Sequence, residues 1–194
     1  MDFKYSYFTA GSSQQLRELI DCLDYSFEPV FKENNIKDDS LPFKALPQMA
    51  IETRARMDAS FVLGATVGVC FFIASWAGNK VLDECYDTYI KPGFKSLTHK
   101  LRLSEKFANE EKLDFYAVAN FNDLDCAVVV RLTSDLVMES EAQNLLIKET
   151  LKSASSYIKQ YGAKGKVHYY HINSGKVNVE PMLRSSIKEI QAER

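Results

Sequence analysis

The sequence predicts an α+β fold in which a mostly antiparallel sheet of about five to six strands carries its helices on one face. Two apolar segments joined by Asn122-Asp123 predict a hairpin, and several other segments have helical spacing. Strands and helices do not alternate regularly, as they would in a parallel sheet. The 194 residues are enough for one core, so we expect residues 1–194 to form a single α+β domain.

The first predicted elements are a strand, a helix and a loop. From Asp2 to Thr9, aromatic residues alternate with polar or charged ones, which is the period-two pattern of a half-buried strand. Apolar residues at helical spacing follow over residues 16–27, and Pro29 is expected to end or kink this helix. Residues 32–47 are rich in Asn, Asp, Ser and Pro and predict a loop. Residues 48–56 alternate again and predict a second strand.

The segment of residues 59–79 is the most informative, because it contains no charged residue. Its length matches the roughly 20 apolar residues that cross a bilayer, and Gly64 and Gly68 would permit close contact with another helix. The same composition fits a long central helix that is buried on all sides in a soluble domain. We favour the buried helix, because polar residues interrupt the segment and a predicted strand lies on either side of it.

Helical spacing continues over residues 81–90 and, after an interruption at Pro92-Gly93, over a basic helix from residue 94. The clearest hairpin consists of Leu113–Phe121 and Leu124–Leu132. Three elements follow it: a helix from Ser134 or Asp135 to Gly162, a hairpin of residues 166–172 and 176–179, and a short polar helix from Arg184.

Composition limits the partners and the compartment. A net charge of -2 gives no general attraction to nucleic acid, and we expect no nucleic-acid partner. The four cysteines lie far apart and the N-terminus lacks the pattern of a secretory signal, so we expect a cytoplasmic protein with reduced thiols. An inner-membrane-associated location is the alternative that accompanies a membrane span over residues 59–79.

The sequence contains no recognisable catalytic, metal or cofactor motif. His168 and His171 are three residues apart on a predicted strand and should point to opposite faces, so they are poor joint ligands. No glycine pattern of a phosphate-binding loop and no nucleophile elbow is present. These observations favour a protein that is not an enzyme. An enzyme remains an alternative if His168, Tyr169 or Asp125 converge on a pocket in the fold.

Two groups of charged residues are the candidate binding sites. An acidic helix and loop, with two tyrosines of the first strand, could attract a basic partner. A basic stripe on a later helix has the simpler interpretation of a solvated helix face. The acidic candidates are Tyr5, Tyr7, Glu18, Asp21, Asp24, Glu28, Asp38 and Asp39, and the basic stripe consists of Lys91, Lys95, Arg102 and Lys106.

The sequence therefore favours a non-enzymatic domain that binds another protein, most concretely a bacterial immunity or inhibitor protein that occludes a basic toxin domain. The first alternative is a membrane-associated component anchored through residues 59–79. The second is an enzyme whose site is assembled only by the fold.

Overall fold

The computed structural model describes residues 3–10, 13–33, 37–38, 65–73, 76, 79–104, 107, 113–134, 140–173 and 175–192. Eight strands and five α-helices lie within these residues. The strands are β1 (Phe3–Ala10), β2 (Lys37–Asp38), β3 (Ala65–Ile73), β4 (Leu113–Phe121), β5 (Cys126–Ser134), β6 (Val167–Asn173), β7 (Lys176–Val177) and β8 (Met182–Arg184). The helices are α1 (Ser13–Glu33), α2 (Asn79–Glu84), α3 (Lys91–Leu103), α4 (Ser140–Tyr161) and α5 (Ile187–Ala192), and a π-helical turn over Cys85–Ile90 joins α2 to α3.

The described strands form one sheet in the order β2-β1-β3-β4-β5-β6-β7, and β8 also pairs with β6. Of the seven pairings, the three between β1 and β2, β3 and β4, and β5 and β6 are parallel. The other four are antiparallel. The predicted α+β class with a mostly antiparallel sheet is therefore confirmed. Five of these strands have seven or more residues, whereas β2, β7 and β8 have only two or three.

The two faces of the sheet are covered differently. The main apolar core contains residues of α1, α2, α3 and α4 together with alternate residues of β3, β4 and β5. We call this side the helix face. A smaller cluster lies on the other side, the second face, where Ile187 and Ile190 of α5 meet Val118 and Val129. Helices therefore cover one face as predicted, with the short α5 on the opposite face as an exception.

The predicted long helix over residues 59–79 is wrong for Ala65–Ile73, which form β3. This strand pairs antiparallel with β1 and parallel with β4. Val69 and Phe71 enter the main core, whereas Cys70 enters the smaller cluster on the second face. An inner strand that is buried on both faces does not alternate polar with apolar residues, so its sequence resembles that of a buried helix. Within the described residues, the structure has no helix whose length and apolar character would suit a membrane crossing.

Prolines that were expected to break helices lie inside helical segments. Pro29 lies within α1, on its exposed side. Because proline has no N–H, the carbonyl group one turn earlier has no intrahelical donor, and on this side it can bind water instead. Pro92 lies in the first turn of α3, directly after the π-helical turn, in which the Lys91 N–H donates to the Tyr86 carbonyl. The wider turn accommodates the missing proline N–H, so the backbone stays helical from Asn79 to Leu103.

Several other predictions agree with the structure. The hairpin of β4 and β5, the hairpin of β6 and β7, the first strand and the short C-terminal helix are all present. The second hairpin turns at Gly175, whose φ of 75° favours glycine. The predicted strand over residues 48–56 lies outside the described residues.

Candidate functional site

The outer face of α1 combines acidic and apolar side chains. Leu19, Leu23 and Phe27 bury one side of the helix against the core. The opposite side carries exposed Asp21 and Asp24, the half-buried Glu28, and two large exposed side chains. These two are Ile20 and Tyr25, which are 48% and 59% exposed. Four of the predicted acidic candidates, Glu18, Asp21, Asp24 and Glu28, thus lie on one helix, and we call its exposed side the acidic face.

The β1–β2 edge of the sheet lies on the same side of the molecule as α1. The helix packs against β1 and β3, and β1 pairs with β2. In this ladder Tyr5 is the register partner of Asp38, and on the other side of β1 Tyr7 is the partner of Val69. The fold therefore brings the backbone of Tyr5 and Asp38 together beside α1. Asp39 lies outside the described residues.

The basic stripe lies on α3, the helix that packs against α1. Lys91, Lys95 and Arg102 are exposed on α3, and Lys106 lies outside the described residues. The Lys95 Nζ is 4.0 Å from a carboxylate oxygen of Glu141 on α4. Lys95 is therefore turned towards α4, whereas the side of α3 that meets α1 carries Gly93, Lys100 and Ser104.

The pair formed by α1 and α3 is antiparallel and opens into a groove. At one end the helices approach closely, since a Cβ atom added at Gly93 would overlap the Phe27 ring. Towards the other end the Lys100 Nζ lies 3.4 Å from the centroid of the Tyr25 ring, and the Ser104 hydroxyl donates to Glu18. The groove has a volume of about 650 Å³ and is lined by Glu18, Cys22, Tyr25, Ser96, His99, Lys100, Leu103 and Ser104.

The cysteine in this groove is a poor nucleophile. Burial raises the pKa of the Cys22 thiol, and the negative charge of Glu18 raises it further. A thiol that stays protonated near neutral pH neither attacks substrates nor binds metals readily. The groove therefore offers a shape and charges for contact, without an activated nucleophile at Cys22.

A polar network that sequence patterns did not reveal lies on the second face. Arg131 makes a bidentate ion pair with Asp114, with Nη2 to Oδ2 at 2.7 Å and Nε to Oδ1 at 3.3 Å. The Thr133 hydroxyl donates to Asp114 at 2.6 Å and lies 2.9 Å from His171 Nε2. Because the hydroxyl has one hydrogen, His171 Nε2 must carry the proton of the second bond. No local pattern encodes the cross-strand register that aligns these residues. Alternate polar residues within a strand, such as Arg131 and Thr133 in β5, indicate only that they share a face.

The charges of this network balance one another. Burial lowers the pKa of Arg131, but its hydrogen bond to Asp114 and the nearby Tyr116 raise it by more, so the guanidinium stays charged. The Arg131 guanidinium also lies 5.6 Å from the Tyr116 ring centroid. A neutralised ion pair on a sheet face is better suited to fixing strand register than to binding a charged ligand.

The three residues that were considered for an enzyme site do not converge. His168 faces α4, where its ring lies 5.6 Å from that of Tyr157. Tyr169 lies in the smaller cluster on the second face. Asp125 lies in the turn after β4 and pairs with Lys166 at 3.4 Å. Within the described ranges, no group of three His, Cys, Asp or Glu side chains is arranged to hold a metal ion.

Neither a protein-family model, nor a curated protein, nor a solved structure matches this chain. Function therefore has to be argued from surface chemistry. The acidic face, with its exposed Ile20 and Tyr25, is the candidate functional site, and the basic stripe of α3 is its immediate neighbour.

Proposed function

We propose that this chain is a non-enzymatic protein-interaction domain that binds a basic partner protein through the acidic face of α1. In its most concrete form it is a bacterial immunity or inhibitor protein that occludes a toxin domain. A cytoplasmic site of action belongs to this proposal. It is supported by the four cysteines, all within the described residues, which are free and buried.

The observation that carries the proposal is the exposure of Ile20 and Tyr25 among carboxylates. Large side chains that remain about half exposed on a helix are suitable anchors for a partner, and tyrosine is enriched among the residues that dominate binding energy. Asp21 and Asp24 lie between these two residues in the sequence and would steer a basic surface towards the same helix. The nearby β1–β2 edge, with Tyr5 aligned to Asp38, would extend the contact.

The test compares an α1 variant with a matched variant at the far edge of the sheet. The first carries Asp21→Asn, Asp24→Asn and Tyr25→Ala. The control carries Glu180→Gln and Val179→Ala, which change an exposed acid and an exposed apolar residue near β7. Each protein is immobilised, incubated with lysate of the native host, and the retained proteins are identified by mass spectrometry.

We expect the wild-type protein and the control to retain the same basic protein. The α1 variant should bind the purified partner roughly 30-fold more weakly or worse, as expected for loss of an anchor contributing about 2 kcal/mol. Calorimetric titration at low and high salt measures both the loss and its electrostatic part. Failure to retain any stable protein, or equal binding by the α1 variant, contradicts the proposal.

The inhibitor form has its own readout in cells. Expression of the identified partner should arrest growth of a bacterial host, and co-expression of the wild-type chain should restore it. At matched expression levels, the α1 variant should restore growth less well than the control variant, because it binds the partner more weakly. A partner whose expression does not affect growth would leave protein binding in place but exclude the inhibitor form.

A further inference from the structure

The acidic face and the basic stripe form two rows of opposite charge on α1 and α3, two helices that pack against each other. On α1, Asp21 and Asp24 are exposed and are followed by the half-buried Glu28. On α3, Lys91 and Lys95 are exposed. A surface that carries both signs in parallel rows is complementary to a second copy of itself.

The contacts between the two helices fix the positions of these rows along the helix axes, and we call such a position a height. Because the helices are antiparallel, three contacts mark successive heights: Glu18 with Ser104, Tyr25 with Lys100, and Phe27 with Gly93. Asp21 and Asp24 therefore lie at heights between Lys95 and Arg102. Glu28 lies near the height of Lys91, at the other end of the basic stripe.

A two-fold axis parallel to the helices and lying over the gap between them leaves every height unchanged. It exchanges the helices, so that α1 of one copy lies over α3 of the other. The acids of each copy then face the basic stripe of the second copy at two symmetry-related places. An axis in this surface perpendicular to the helices would instead place α1 opposite α1 and α3 opposite α3, with like charges facing each other.

Exposed apolar side chains accompany the charges on both helices. Ile20 and Tyr25 lie on α1, and Leu103 on α3 is 71% exposed. Tyr25 and Leu103 line the groove between the two helices, so the same rotation brings these two side chains towards the shared surface, where they would supply apolar anchors surrounded by charged groups. Stable interfaces commonly combine an apolar centre with a polar rim.

We infer that this chain forms a symmetric dimer through the acidic face and the basic stripe, each copy placing α1 on α3 of the other. The inference does not rest on the proposed function. It adds that self-association covers the surface that a basic partner would use, so that dimer formation and partner binding compete.

The test uses compensating charge reversals in the full chain. One variant carries Asp21→Lys and Asp24→Lys, and a second carries Lys95→Glu and Arg102→Glu, the two basic residues between whose heights Asp21 and Asp24 lie. The control carries Lys164→Glu and Lys176→Glu, two exposed lysines at the β6 edge of the sheet. Sedimentation equilibrium measures the mass of each protein alone, at low and high salt, and of an equimolar mixture of the two reversed variants.

We expect the wild-type protein and the control to be dimers at low salt and to dissociate as salt rises. Each reversed variant should dimerise at least tenfold more weakly, and the mixture should form a heterodimer that is stronger than either variant alone. Formation of the heterodimer also shows that both variants are folded. A wild-type protein that is monomeric at all concentrations, a dimer that neither reversal weakens, or a mixture that stays monomeric would overturn the inference.

The α3 variant separates this inference from the proposed function. Lys95→Glu and Arg102→Glu leave the acidic face intact, so the variant should lose the dimer yet bind a basic partner at least as tightly as the wild-type protein. A chain that binds a partner but never dimerises refutes only the dimer. A chain that dimerises but has no partner refutes only the proposed function.

Discussion

Polar residues on the two faces of the sheet differ in their hydrogen bonding. The strand β6, whose alternate residues point to opposite faces, shows the contrast most directly. On the helix face, His168 Nδ1 and the Tyr170 hydroxyl are buried and find no hydrogen-bond partner among the described residues. On the second face, His171 joins Thr133 and, through it, the ion pair of Arg131 and Asp114. One strand therefore carries buried polar atoms without a partner as well as polar groups that are connected in a network.

The contrast teaches that burial alone does not determine what a polar residue contributes to stability. An unpartnered buried group retains its desolvation cost, whereas a connected one offsets that cost through its bonds. On the helix face, burial raises the pKa of Tyr170 and lowers that of His168, so both side chains are kept neutral. On the second face, hydrogen bonding to Asp114 raises the pKa of Arg131 and keeps it charged. Substitutions on the two faces should therefore have effects of different size and sign.

The largest effect is expected from breaking the network on the second face. Arg131→Met leaves the Asp114 carboxylate, which is only 17% exposed, without its cation, and the free energy of unfolding should fall by about 3 kcal/mol. Chemical denaturation at neutral pH measures this change.

A double variant tests whether the loss comes from the unpaired charge. Arg131→Met combined with Asp114→Leu removes both charges and should recover most of the stability lost by Arg131→Met alone. If the double variant is less stable than the single one, the ion pair is not the source of the loss.

An intermediate effect, dependent on pH, is expected at His168. The Gly165 N–H donates to Nε2 at 3.4 Å, and the pKa lies below its usual value of 6.5 because of burial. The unfolded chain therefore binds a proton at a higher pH than the folded protein. This residue's contribution to stability is fully present above about pH 6.5 and is lost as the pH falls towards the lower folded-state pKa.

The measurement is the free energy of unfolding as a function of pH. In His168→Phe, which keeps a ring against Tyr157, the slope below about pH 6.5 should be flatter by up to about 1.4 kcal/mol per pH unit, the value for one proton. His99→Gln, which replaces an exposed imidazole on α3, is the control variant whose slope is compared with that of His168→Phe. Equal slopes for the wild-type protein and His168→Phe would show that His168 does not couple protonation to folding.

The smallest effect is expected from two buried tyrosines on the helix side. Tyr86 donates its hydroxyl to the Asn144 carbonyl at 2.6 Å, whereas the Tyr170 hydroxyl has no partner in the described part of the chain. Tyr86→Phe should cost about 1 kcal/mol, and Tyr170→Phe should be neutral or stabilise the protein by up to about 1 kcal/mol. Thermal unfolding of the two variants provides the comparison. A loss at Tyr170 equal to that at Tyr86 would mean that the Tyr170 hydroxyl is bonded in solution.

Local sequence signals predicted those elements whose pattern has only one structural interpretation. Asn122-Asp123 between two apolar segments predicted the hairpin of β4 and β5, although β5 begins at Cys126, two residues later than expected. The spacing of acidic and apolar residues in α1 likewise indicated a helix with an acidic side, and Asp21 and Asp24 are exposed on that helix.

Long-range pairing decided the rest. The candidate contacts on α1 and α3 were predicted separately, but only packing made the two helices antiparallel neighbours. The network of Arg131, Asp114, Thr133 and His171 required the register of β4, β5 and β6, which no local pattern encodes.

By itself, the sequence determined the α+β class, the hairpins and the acidic character of α1, because turn residues and one-sided polarity act over a few neighbouring residues. Only the tertiary structure decided that Ala65–Ile73 form an inner strand rather than part of a helix. The physical reason is that a buried helix and an inner strand are both surrounded by protein on every side. A segment that is apolar throughout has neither the helical nor the strand periodicity of apolar residues that would distinguish the two. The pairing of this segment with β1 and β4, which are distant in the chain, determined that it forms a strand.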